Sequence, residues 1–165
     1  MDEAERKSMQ NSRIKQPNSK NCFACGVENE HGLGVQFYEI NGDELVAEYV
    51  VPEQFEGFPG IVHGGITASI LDEMLSRVAM IGEPDRFWMT AKMELRYRAP
   101  VPTGQMLKLR AVIEKRRGRL IFTKAELRLP DGTVAAEANG MMVNADEALL
   151  EGANLEELGW KVYPD

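Results

Sequence analysis

The residues best suited to chemistry lie at one junction, Phe58-Pro59-Gly60-Ile61-Val62-His63-Gly64-Gly65, and on the segment after it, Ile66-Thr67-Ala68-Ser69-Ile70-Leu71-Asp72-Glu73-Met74. Two glycines where a helix begins leave backbone N–H groups with no Cβ over them. Those donors and the positive end of the helix dipole make a place for an anion or a developing oxyanion. The same glycines would also serve a tight turn into the helix. Asp72 adds to the first reading. It stands mid-helix in an apolar run, where Asp is a poor helix former. Its same-face neighbours are Ala68, Ser69, Ser76 and Ala79, all small. A carboxylate among small residues has space beside it for a substrate; the alternative is a polar residue facing solvent. Glu73 differs, because Arg77 follows it at i+4 in the favourable order for a helix ion pair. Glu73 is therefore expected to be a surface charge and Asp72 the candidate catalyst. A cationic imidazole is disfavoured at a helix N-terminus, so His63 is expected to be neutral. It either orients a carbonyl or water or only shapes the junction.

The elements that must position these groups follow from patterning. The stripe Ile66, Ile70, Met74, Val78 and Ile81, widened by Leu71 and Leu75, predicts one buried helix over 66–81. Before it, strands are expected over 35–40 and 45–51, joined by the turn Asn41-Gly42-Asp43. After it, strands are expected over 87–98, 105–115, 120–129 and 133–143, with turns at Gly118 and Pro130-Asp131-Gly132. Hairpins imply antiparallel pairing, and only a sheet is large enough to bury such a helix. The fold class is α+β, a curved antiparallel sheet wrapped round one long central helix. Residues 1–20 are polar and expected to be a flexible segment, 21–145 the folded domain, and 146–165 an acidic tail.

The chain has 165 residues, 44% of them hydrophobic, which suits one globular domain. No run of 18 apolar residues is present and the first twenty residues lack a secretory h-region, so no membrane span and a cytoplasmic location are expected. The net charge of −7 argues against nucleic acid as a partner. Charge is unevenly placed: residues 86–128 hold twelve Lys/Arg against three Glu. A basic block in an acidic chain suggests one anionic partner, or simply a balance to the acidic remainder.

With these motifs the sequence resembles the hotdog-fold acyl-CoA thioesterases of the phenylacetate-degradation and 4-hydroxybenzoyl-CoA thioesterase type. The resemblance rests on His63-Gly64-Gly65 with a helical acid nine residues after the His. It is extended by Arg96-Tyr97-Arg98-Ala99-Pro100-Val101-Pro102 and Cys22-Phe23-Ala24-Cys25-Gly26, and covers about residues 21–143. It implies that the Gly65 N–H polarises a thioester carbonyl and that Asp72 acts as nucleophile or general base. It also implies a supporting hydroxyl at Ser76, no metal and no cofactor. Some members of that family carry Asn or Gln six residues before the His, where this chain has Gly57.

Under this resemblance the basic block has a use. Lys115-Arg116-Arg117-Gly118-Arg119 forms a cationic hairpin tip, expected beside Arg96 and Arg98 on a neighbouring strand. Guanidinium forks suit the phosphates of coenzyme A, though a solvated tip is the plainer reading for any single Arg. Asp72 lies about 10 Å along the helix from Gly65, too far for its side chain to reach a carbonyl held there. A second chain with an antiparallel helix would bring its own Asp72 to that point, so a homo-oligomer, a dimer or a dimer of dimers, is expected. The pair Cys22 and Cys25 is expected not to hold a metal. A zinc site needs four ligands, and only His31 and His63 remain as histidines. Met74, Met80, Met89, Met93, Met141 and Met142 would suit an adaptable acyl pocket or an ordinary core. Two rivals share the fold: a non-catalytic acyl-CoA binding or sensing protein, and a hydratase or dehydratase. The retained Asp72 favours a hydrolase over the first, and the lack of a second pocket His disfavours the other.

Overall fold

The structure is a computed structural model that describes residues 12–145 and 150–165. Seven strands form one antiparallel sheet: β1 (Arg13–Lys15), β2 (Tyr38–Ile40), β3 (Glu44–Val50), β4 (Trp88–Tyr97), β5 (Met106–Arg117), β6 (Leu120–Arg128) and β7 (Val134–Asn144). Their spatial order is β1-β2-β3-β5-β6-β7-β4. The helix α1 (Gly64–Val78) lies across the concave face, with Ile70, Leu71, Met74, Leu75 and Val78 buried against the sheet. Alternation on the strands completes the core: Leu45 and Ala47 from β3, Leu107, Leu109 and Ala111 from β5, and Ile121, Ala125 and Leu127 from β6. No helix among the described residues is long and apolar enough to cross a membrane.

Local chemistry explains the turns. Asn41 and Gly42 both take positive φ, 54° and 76°, which is the primed turn that suits the right-handed twist of a hairpin. A 3₁₀ turn, Glu53–Phe55, interrupts the loop ahead of the helix.

Two expectations about the ends are corrected. Residues 13–20, expected to be frayed, add strand β1 and insert buried Gln16 and Asn18. The Gln16 amide donates to Glu39 and to the Arg77 carbonyl, while the Asn18 amide donates to the carbonyls of Cys25 and Val35. These partners lie far along the chain, so no local pattern reveals them. The expected C-terminal tail also packs where it is described. Asn18 bridges to Lys161, the Trp160 ring lies tilted against Phe87 with centroids 5.1 Å apart, and Asp165 pairs with Lys15 at 2.7 Å. Residues 1–11 and 146–149 lie outside the described residues.

Strand β4 is one edge of the sheet, opposite β1, and breaks its own alternation. The register against β7 slips between Thr90 and Lys92. Trp88 and Thr90 face inward before the slip, and Met93, Leu95 and Tyr97 after it. A bulge at Ala91 thus changes the parity of the inward residues, as an extra residue in one strand must.

Candidate active site

His63 is the N-cap of α1, and its Nδ1 accepts from the Gly65 N–H at 2.9 Å. The Nδ1 lone pair thus caps a free N–H of the first turn. The two glycines then have separate reasons. A Cβ on Gly65 would lie 3.1 Å from His63 Nδ1, and one on Gly64 would lie 3.3 Å from the Tyr97 hydroxyl. That hydroxyl donates to the Gly64 carbonyl at 2.5 Å. Gly57 backs the imidazole, since a Cβ there would meet the His63 Cα at 3.3 Å. An exposed hollow beside His63 and Gly65 is lined by Gln54, Glu56 and Ser69 as well. Gln54 is an amide that the sequence reading did not place here.

Asp72 projects toward β4. Its Oδ1 accepts from the Thr90 hydroxyl at 2.6 Å, and the carboxylate is half-buried. No cation pairs with it among the described residues. Thr90 was missed from sequence because its inward direction depends on the bulge at Ala91. Ser76 sits one turn further on, with its hydroxyl donated to the Glu73 carbonyl at 3.1 Å. Within one chain, Asp72 and the Gly65 N–H stay about 10 Å apart along the helix. Within one chain the two groups therefore stand apart, one at the start of α1 and one at its middle.

Glu73 corrects an expectation. It pairs with Arg77 as anticipated, at 2.7 Å, but the pair is not on the surface. Arg77 is only 2% exposed. It also donates to the Pro17 carbonyl at 2.5 Å and stacks over Phe37 and Trp160. The basic residues need correction too. Register places Arg116 in one row with Ile121, Met142 and Thr90, so the hairpin tip lies at the Asp72 end of the sheet. Arg96 stands in the row of Glu137, Glu126 and Arg110, about 20 Å along the strands. Arg96 and Arg98 are thus not beside the tip; they flank Tyr97 near the start of α1. Arg98 pairs with Glu137 at 2.7 Å, and that bond holds the Glu137 carboxyl below its ordinary range. Arg116, Arg117 and Arg119 are exposed and make no ion pair among the described residues.

The cysteine loop folds onto α1 near Glu73. The Cys25 N–H points at Cys22 Sγ at 3.4 Å, and Ser19 Oγ lies 3.7 Å from Cys25 Sγ. The hydrogen bond from the Cys22 thiol pulls Cys25 down to about 6, helped by the charge of Arg77, and pushes Cys22 up.

Residues 59–136 match the family model described as the thioesterase superfamily. Acyl-coenzyme A thioesterase THEM4 of Bos taurus is 28% identical over 121 residues, covering 71% of this chain and 49% of the relative. A solved thioesterase superfamily protein is 30% identical at a TM-score of 0.67, covering 74% of this chain and 59% of that one. Thioesterase superfamily member 2 of Mus musculus is 25% identical at a TM-score of 0.59, covering 67% and 80%. Residues 59–136 are thus similar to the thioesterase superfamily, and the helix-in-sheet arrangement described above is the hotdog architecture of these structural neighbours. The chain spans about half the length of the THEM4 relatives it matches.

Proposed function

We propose that this chain hydrolyses an acyl-coenzyme A to a free acid and coenzyme A, at a site completed by two copies of the chain. The observation that carries the reading is the half-buried Asp72 carboxylate, oriented by Thr90 and free of any cation among the described residues. A carboxylate so placed can attack a thioester carbonyl, giving an acyl anhydride that water then cleaves, or it can take a proton from an attacking water. Either route expels the thiolate of coenzyme A. The negative charge on the carbonyl oxygen needs a donor, and the start of α1 supplies one. For the Gly65 N–H to serve, His63 gives up the bond to its Nδ1 and the substrate oxygen takes its place. The names of the acyl-CoA thioesterase relatives support the substrate class. A hydrolysis screen over aryl-, short- and long-chain acyl-CoAs, read by released thiol, tests the reading. Turnover of at least one class is expected. Binding without release by any of them would favour the non-catalytic alternative.

The edge strand supports the second copy. β4 runs ten residues, its outer edge unpaired among the described residues, and exposes Met89 and Tyr97 at 49% and 52%. A long open edge is a template for pairing with another strand. Antiparallel β4–β4 pairing would set two α1 helices antiparallel and bring Asp72 of each to the Gly65 of the other. Sedimentation at assay concentration should show a dimer or a multiple of it; an active monomer would overturn the shared site.

The hairpin tip is the candidate phosphate contact. Arg117→Ala or Arg119→Ala should raise KM more than it lowers kcat, since binding far from the reacting carbon is largely uniform. With a pantetheine thioester, which lacks the nucleotide phosphates, the effect should vanish. Equal losses on both substrates would remove these arginines from the site.

A further inference from the structure

We propose that Cys22, Cys25 and Glu73 form a binding site for a zinc(II) ion. One ligand atom from each, two sulfurs and a carboxylate oxygen, lie within 4.8 Å of one another. The sequence offered only the two thiols; the third ligand comes from α1, some fifty residues away along the chain.

The loop is built to present the sulfurs. Gly26 N–H donates to the Cys22 carbonyl at 2.8 Å, closing a tight turn, and Cys25 N–H points at Cys22 Sγ. A backbone N–H aimed at sulfur stabilises negative charge there, as a metal-bound thiolate requires. The turn admits no side chain at its last position, because a Cβ on Gly26 would collide with the carbonyls of Cys22 and Lys20.

The surroundings fit an ion rather than a plain packed core. Glu73 Oε1 accepts from Arg77, which fixes the carboxylate and leaves Oε2 for a metal, the usual outer support of a ligating carboxylate. Two thiolates, one carboxylate and Arg77 sum to −2, so a divalent cation brings the cluster to neutrality. Thiolates select soft or borderline metals, and three protein ligands leave the fourth tetrahedral position of zinc for water. The cluster opens on a cavity of about 360 Å³ that can hold that water. One wall is Trp88, whose Nε1–H is buried without a hydrogen-bond partner.

The test uses the full chain, stripped with a chelator, kept reduced by a non-thiol reductant, and titrated with Zn²⁺ and with Co²⁺. One ion per chain is expected, with a thiolate-to-cobalt charge-transfer band. Cys22→Ser and Cys25→Ser should each about halve that band at saturating Co²⁺, the double variant should abolish it, and each should weaken Zn²⁺ binding more than the 10- to 100-fold typical of changing an outer-shell residue. Glu73→Gln, its folding checked by circular dichroism, should weaken binding while keeping the band. Failure of the parent chain to bind a stoichiometric ion overturns the proposal, and so does binding unchanged in both Cys variants. Unchanged affinity in folded Glu73→Gln removes the carboxylate and overturns the three-ligand site. Metal content is read without turnover, so the result stands apart from the thioesterase reading.

Discussion

Asp72→Asn is expected to leave a folded protein with at least about 10²-fold lower kcat, the usual cost of removing a general base. The amide keeps the size of the carboxylate, and its carbonyl oxygen can still accept from the Thr90 hydroxyl. Packing of α1 is unaffected, because Asp72 is only half-buried and its neighbours are small. What is lost is the charge, and with it both a nucleophile and a proton acceptor. The deficit should fall on kcat and kcat/KM together, with KM little changed, because the charge acts on the reacting carbonyl. Kinetics on the best acyl-CoA, with a thermal melt alongside, separate this from unfolding. A variant that retains more than a tenth of the parent kcat with an unchanged melt would remove Asp72 from the chemistry.

Glu73→Gln is expected to act on stability instead. As an exposed i,i+4 pair it would contribute only about 0.3–0.5 kcal/mol. Its partner Arg77 is 2% exposed, however, and is held by the Pro17 carbonyl and between Phe37 and Trp160. It cannot swing into water when the carboxylate is gone. Breaking a buried pair from one side costs about 3–5 kcal/mol; Glu73 is itself 20% exposed, so the lower end, about 3 kcal/mol, applies. For a chain of this size that lowers Tm by about 6–12 °C. The melt should be taken in chelator, so that loss of a bound ion does not contribute. A shift below about 2 °C would mean that the Pro17 carbonyl and the two aromatic rings satisfy Arg77 unaided.

The contrast between those two acids shows what sequence could and could not supply. The helix was legible from the stripe at 66, 70, 74 and 78, and the hairpins from Asn41-Gly42 and Gly118, because those signals are local. Asp72 was legible because a carboxylate among small residues in an apolar helix is anomalous wherever the helix goes. The depth of Arg77 was not legible. The i,i+4 spacing to Glu73 reads the same on a surface and in a core, and the residues that bury Arg77 come from positions 17, 37 and 160. Strand β1 was missed for the same reason, since three residues, Arg13-Ile14-Lys15, hold no pattern and are kept in place by distant partners. The basic residues were visible as a block, but only strand register puts Arg116 at one end of the sheet and Arg96 at the other.

The slip at Ala91 makes β4 a phase-shifter. Residues on either side of it follow the same two-residue rhythm, but half a period apart. That offset lets one strand reach both the middle and the start of α1, Thr90 holding Asp72 and Tyr97 holding the first carbonyl of the helix. Were Ala91 drawn into the regular alternation instead, Thr90 and Tyr97, seven steps apart, would fall on opposite faces. The spacing between these two residues, an odd number of steps, therefore carries information that neither side chain carries alone. A homologous chain one residue shorter here would need no bulge, because six regular steps already bring both side chains to one face.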